Sequence, residues 1–246
     1  MKKMFAFSRL TALLTGLCLT AVTVLLLSAP AQAQAQAQDQ AQEKEVVDLL
    51  MVGDSITDFW DRSGDYGLEV YQKYFSNANR KTVNIGVSGD ITDQTMQRLA
   101  NPMLNKISPK MIMLMIGTNN LNRGPETTAR YTVEGIREIL AALRVKFPEA
   151  KILLLAVFPR SQPETGPVPG PQYRMRIDAI NAQLPALADG KFIFFKNINE
   201  IFLNEDGTLK TELMPDQLHP NKAGYYLWAE AVEPIVQAWT GTKAGS

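Results

Sequence analysis

A serine that is to act as a nucleophile needs a base to take its proton, a group to orient that base, and donors for the oxyanion that forms. Gly53-Asp54-Ser55-Ile56-Thr57 offers the serine, directly after the apolar run Val46 to Val52. A serine where a strand stops and a helix starts meets free N–H groups and a partial positive charge. The same five residues also fit a plain turn in which Asp or Ser only caps a helix. The chain holds one histidine, His219, so a serine–histidine pair can use no other. It stands in Met214-Pro215-Asp216-Gln217-Leu218-His219-Pro220, with Asp216 three residues upstream. In a turn, that spacing places a carboxylate on Nδ1 and leaves Nε2 for the serine. The competing role is a lone histidine hydrogen-bonded in the core; its uniqueness and the Asp-x-x-His spacing favour the base. For the oxyanion, Gly89 can present an unobstructed N–H, Asn119 its side-chain amide, and Ser55 its own N–H. Taken singly, each of these donors also reads as a turn or cap residue.

The elements that must carry these residues are legible as apolar runs broken by turn residues. Val46–Val52, Val83–Ile85, Met111–Ile116, Lys151–Phe158 and Phe192–Phe195 read as strands. Between them, helical spacing marks Tyr66–Phe75, Thr92–Leu99, Glu126–Phe147, Tyr173–Leu187 with a kink at Pro185, and Lys222–Trp239 interrupted or bent near Pro234. Strands that are apolar throughout imply burial on both faces, as in a parallel sheet. Right-handed crossovers then give an α/β fold, a three-layer α/β/α sandwich on a five-stranded parallel sheet. In such a sheet the loops after the strands emerge at one edge, so Ser55, Gly89 and Asn119 meet there.

At this point the residues resemble the SGNH (GDSL-type) hydrolases, and most closely the branch similar to the platelet-activating-factor acetylhydrolase catalytic subunits. The resemblance rests on Gly53-Asp54-Ser55, Asn84 to Asp90, Gly117 to Asn120, Pro159-Arg160 and Asp216 to His219. It covers about residues 46 to 240. It implies a flavodoxin-like fold and ester hydrolysis with no metal and no organic cofactor. By position it makes Ser55 the nucleophile, His219 the base and Asp216 its orienter, with the Ser55 backbone, Gly89 and Asn119 as the oxyanion hole. It gives Asp54 a structural hydrogen-bonding role.

Asp54, Trp60, Asn120 and Arg160 stand beside these blocks as candidates for substrate contact. Arg160 fits either an anionic or polar substrate or a rim ion pair with Asp90 or Glu164. Trp60 and Phe59 fit either an acyl or sugar-stacking wall or the core. The acidic run Asp54, Asp58, Asp61, Asp65 lacks calcium-loop spacing and reads as a solvated loop. No Gly-x-Ser-x-Gly elbow occurs, because Thr57 takes the last place, which argues against an ordinary α/β-hydrolase. The expected activity is hydrolysis of short-chain, foremost acetyl, esters of small molecules or carbohydrates. A lysophospholipase, thioesterase or acyltransferase using the same site is the alternative, and filled catalytic positions argue against a mere binding protein.

Composition sets the context. Basic and acidic residues balance at 25 each among 246, which gives no reason to expect nucleic acid as a partner. Lys2, Lys3 and Arg9, the apolar stretch Leu10–Leu27 and the small residues of Ser28–Ala33 form a secretory signal peptide over residues 1–33. An uncleaved membrane anchor is the competing reading. Cleavage leaves 22 basic against 25 acidic residues, a net charge of −3, and removes Cys18, the only cysteine. The exported chain, secreted or periplasmic, then has no disulfide and no membrane segment. The Ala/Gln alternation within residues 34–45 reads as a flexible spacer, residues 46–240 as the hydrolase domain and 241–246 as a C-terminal tail. The sequence carries no sign of oligomeric state.

Overall fold

The computed structural model describes residues 43–122, 125–161 and 170–245. The expected signal peptide, Cys18, most of the expected Ala/Gln spacer, Glu164 and most of the Pro-rich loop expected at 161–171 lie outside them.

Five strands form the sheet: β1 (Glu45–Gly53), β2 (Thr82–Asn84), β3 (Ile107–Met115), β4 (Lys151–Leu155) and β5 (Ile193–Lys196). They pair in parallel in the order β2-β1-β3-β4-β5, the flavodoxin-like order. The continuous apolar runs resolve into two faces because successive side chains point opposite ways. Leu50, Val52, Ile112, Leu114, Ile152 and Leu154 enter one core; Leu49, Met51, Met111, Met113, Met115, Leu153 and Leu155 enter the other.

The helices divide accordingly. The first core is closed by α3 (Thr92–Arg98), α4 (Pro125–Lys146) and α5 (Gly170–Asn181), the last two through Ile136, Ile139, Leu143, Tyr173, Ile177 and Ile180. The second is closed by the short α1 (Ser55–Asp58), α2 (Leu68–Tyr74) and α6 (Lys222–Thr240), through Trp60, Val70, Phe75, Tyr225, Trp228 and Val232. Among the described residues no helix is long and apolar enough to cross a membrane.

Three elements differ most from the sequence expectation. Strand β3 begins at Ile107, four residues early, and includes Pro109. Pairing with β4 starts only at Met111, so the missing N–H of Pro109 leaves no ladder bond broken on that side. The helix expected over Tyr173–Leu187 ends at Asn181, and Pro185 starts a separate 3₁₀ turn, Leu184–Leu187. Asn181 is held by the main chain of Val157, donating to its carbonyl at 2.9 Å and accepting from its N–H at 2.8 Å. The last helix, by contrast, runs through Pro234 uninterrupted, with buried residues before and after it. Beyond it, Thr242, Ala244 and Gly245 are hydrogen-bonded to Arg80, Glu233 and Lys73, so residues 242–245 are tied to the domain.

Candidate active site

Gly53 ends β1 where the chain passes close to both its neighbour strand and the coming turn. A Cβ at this position would lie 2.3 Å from the Met115 carbonyl oxygen and 2.1 Å from Thr57 Oγ1. Asp54 then caps α1, accepting from the Ile56 N–H through Oδ1 at 3.0 Å. Ser55 is the first helical residue, so its N–H has no partner within the helix. The far side of the turn is pinned by the buried Tyr225, whose hydroxyl donates to the Ile56 carbonyl at 2.7 Å. Strand, cap and tyrosine together fix where Ser55 Oγ lies.

His219 reaches it from the loop before α6. Its Nδ1 lies 2.6 Å from Asp216 Oδ2 and its Nε2 2.9 Å from Ser55 Oγ. The carboxylate can only accept, so Nδ1 carries the proton and Nε2 accepts from the serine hydroxyl. Asp216 is itself oriented by the loop, its Oδ1 accepting from the N–H groups of Leu218 (3.0 Å) and His219 (2.7 Å). Partial burial pushes this carboxyl up, but the bonds from the His219 ring, the His219 N–H and the Leu218 N–H prevail and hold it at about 2. The loop bends through Gln217, which adopts the left-handed conformation at φ 62°.

The residues expected to serve the oxyanion stand on loops at this same edge. Gly89 has φ +86°, open to glycine at little cost, and a Cβ there would meet nothing within 4 Å. Its N–H donates to no backbone group among the described residues. Asn119 Nδ2 donates one hydrogen to the Asp90 carbonyl at 3.0 Å, which orients the amide and leaves its second hydrogen for a ligand. Asp90 is held in turn by Arg98, through two bonds of 3.1 Å. A loop glycine, a helix-start N–H and an oriented amide on the edge that carries a histidine-bonded serine are the kinds of group that acyl transfer uses.

The four candidates for substrate contact are placed differently. Trp60 is 0% exposed and packs against Phe75, Tyr225 and Trp228, so it belongs to the core and is no stacking wall. Asn120 is 0% exposed and uses both ends of its amide on Thr92, accepting from its N–H and donating to its hydroxyl. It fixes the start of α3 and does not face a ligand. Asp54 is 1% exposed; its Oδ2 has no hydrogen-bond partner, and burial raises its pKa to about 7 against the smaller opposing pull of the Ile56 N–H, His219 and Arg160. Arg160 is 5% exposed and forms no ion pair with Asp90, which Arg98 has taken.

One neighbour of the histidine was not singled out for that place. Phe59, four residues after Ser55, stacks on the His219 ring at 4.6 Å between centroids and 24° between planes. The Arg62 guanidinium lies 3.7 Å from the Phe59 centroid. The i, i+4 spacing from Ser55 was the available signal, since it returns Phe59 to the same side of the turn.

Comparison with known proteins identifies the family of the chain. The model of the GDSL-like lipase/acylhydrolase family matches residues 51–227. The chain is 31% identical over 179 residues to the human platelet-activating factor acetylhydrolase IB subunit alpha2, spanning 72% of this chain and 71% of that protein. A GDSL-like lipase from Bacteroides thetaiotaomicron shares the fold with a TM-score of 0.61 at 22% identity, covering 85% of this chain and 97% of the other. An acetylxylan esterase from Geobacillus stearothermophilus does so with a TM-score of 0.56 at 21% identity, covering 79% and 94%. The chain therefore belongs to the GDSL-like lipase/acylhydrolase family and is an ester-cleaving enzyme of that family.

Proposed function

We propose that this protein is an exported serine esterase that removes short acyl groups, acetate above all, from small-molecule or carbohydrate esters. The observation that carries the reading is the hydrogen-bonded series Ser55–His219–Asp216, at 2.9 and 2.6 Å. Ser55 Oγ attacks the ester carbonyl while Nε2 of His219 takes its proton. The carbonyl oxygen becomes an anion facing the N–H groups of Ser55 and Gly89 and the Asn119 amide. The imidazolium, steadied by Asp216, gives its proton to the departing alcohol and an acyl-serine remains. Water, deprotonated by the same nitrogen, then releases the acid. The preference for acetyl esters is supported by the names of the acetylhydrolase and acetylxylan esterase relatives, and the carbohydrate by the second alone. Export rests on the signal-peptide pattern of residues 1–33.

A fluorophosphonate probe should label the wild-type protein on Ser55 and leave Ser55→Ala unlabelled; labelling that persists in the variant would sink the assignment. On p-nitrophenyl esters from acetate to palmitate, kcat/KM should fall with chain length, and a maximum at long chains would replace the short-chain reading by a lipase.

A further inference from the structure

Arg160 is a buried charge in the carboxyl edge that the mechanism above does not use. It follows β4, and its only hydrogen bond among the described residues is from Nη1 to the Thr118 carbonyl, at 3.3 Å. Its Nε is buried without a partner. The guanidinium lies 4.2 Å from the centroid of the Tyr173 ring. No carboxylate pairs with it among the described residues; Asp54 and Asp216 act on it only from a distance, and burial lowers its pKa. A guanidinium removed from water without a counter-charge is costly, and such a group is retained where it meets a charge brought from outside.

Beside it lies a cavity of about 320 Å³. Arg160, Ser161, Arg174, Thr208, Thr211 and Gln217 supply its polar wall, and leucine and proline side chains the rest. Gln217 is the residue after Asp216, so the cavity shares a wall with the loop that carries His219. His219 returns its proton to the departing alcohol, which places the alcohol part of the ester, not the acyl part, on that side. Along the sheet edge β4 stands two strands from β1, whose end carries Ser55. At ~4.8 Å per strand that is a separation of about 10 Å, room for roughly one sugar ring between the two. Hydroxyl and amide groups beside apolar surface suit the edges and faces of a sugar, and a guanidinium suits a carboxylate.

We propose that this cavity is an acidic-sugar subsite, in which Arg160 binds a carboxylate on the alcohol part of the substrate about one ring away from the ester that is cut. The assignment rests on the esterase reading above. It predicts that an acetylated methyl glucuronide is a better substrate than the corresponding acetylated methyl glucoside, by on the order of 10- to 100-fold in kcat/KM, as for a hydrogen bond to a charged group. Arg160→Gln should bring that ratio close to one, and Arg160→Lys should leave it in between. A ratio near one in the wild type, or an undiminished ratio in Arg160→Gln, overturns the proposal.

A measurement on the wild type alone covers the case in which the variants do not fold. Free glucuronate should inhibit hydrolysis of p-nitrophenyl acetate at concentrations where glucose does not. Equal effects of the two sugars overturn the subsite, and inorganic phosphate competing as well as glucuronate overturns its sugar part. Titration calorimetry of glucuronate against the wild type separates the two readings. Binding without any turnover of p-nitrophenyl acetate would reject the esterase and keep the subsite; turnover without binding would do the reverse.

Discussion

The molecule buries two arginines in opposite ways. Arg80, just before β2, lies at the edge where the strands begin, and every part of its guanidinium is used. It donates to both oxygens of Glu233 at 2.6 and 3.0 Å, to the hydroxyl and carbonyl of Thr242 at 2.9 and 2.7 Å, and to the Tyr74 carbonyl. Nearby, Lys110 joins Asp48 at 2.7 Å and the Thr240 carbonyl at 3.1 Å. Arg160, where the strands end, has one 3.3 Å bond among the described residues. Asp54 Oδ2 and Thr118 Oγ1 share that edge and have no partner among the described residues. Buried polar groups are nearly always satisfied, so a cluster of exceptions marks the part of a fold that is not arranged for stability alone. The amino edge ties the end of α6 and the residues after it to the sheet. The carboxyl edge instead leaves polar atoms of Asp54, Thr118 and Arg160 without protein partners among the described residues.

Two substitutions should pull these edges apart, and they carry the largest effects. Ser55→Ala should lower kcat by on the order of 10⁴- to 10⁶-fold while leaving the unfolding midpoint within a few degrees of wild type. Glu233→Ala should do the opposite. It leaves Arg80 buried without its partner, a loss of about 3–5 kcal/mol in stability, with kcat of the folded fraction little changed. Urea unfolding and turnover measured on both proteins check the pair. A Glu233→Ala enzyme of normal stability would remove the contrast on which the distinction rests.

Asn119→Ala tests the same edge at a finer level. If its amide holds the oxyanion, kcat should fall about 10²- to 10³-fold with KM little changed. The bond it gives to the Asp90 carbonyl is a single neutral one, so the accompanying loss of stability should be only about 1 kcal/mol. Unchanged turnover would restrict the oxyanion donors to the two backbone N–H groups.

Much of this edge was legible in the sequence because its geometry is set locally. Asp216 and His219 lie in one turn, and Ser55 and Asn119 each lie just past the end of a strand, so topology delivers them to one place. Other residues depended on contacts that no spacing encodes. Phe59 and Trp60 are adjacent and chemically alike. The 3₁₀ turn Phe59–Asp61 decides that one ring meets His219 and the other enters the core. Arg160 had two available partners on paper, and what removed Asp90 was Arg98, eight residues along and one helix away. The two prolines show the same limit. Pro185 begins a new turn, whereas Pro234 stands on the exposed side of α6, whose opposite face carries the buried Trp228, Val232 and Val236. Neither outcome follows from the proline alone; its place in the tertiary fold made the difference.

A further test concerns the other unmatched group of the carboxyl edge. Burial raises the pKa of Asp54 from 3.8 to about 7, with the Ile56 N–H, His219 and Arg160 offsetting part of the rise and Asp90 adding to it. The sign of the consequence follows from proton counting. Below pH 4 the carboxyl is protonated folded and unfolded alike, and contributes nothing. Between pH 4 and 7 the unfolded chain gives up this proton and the folded chain keeps it, so stability falls as pH rises, at up to ~1.4 kcal/mol per unit. Above pH 7 both forms are ionised and the loss is complete. Asp54→Asn keeps an oxygen for the Ile56 N–H but cannot ionise, and should lack this slope. The free energy of unfolding of wild type relative to Asp54→Asn, followed by urea titration from pH 4 to 8, should therefore decline steadily up to pH 7 and level off. Parallel profiles would mean that Asp54 is ionised in the fold, which its single accepted bond and unpartnered second oxygen give it no means to be.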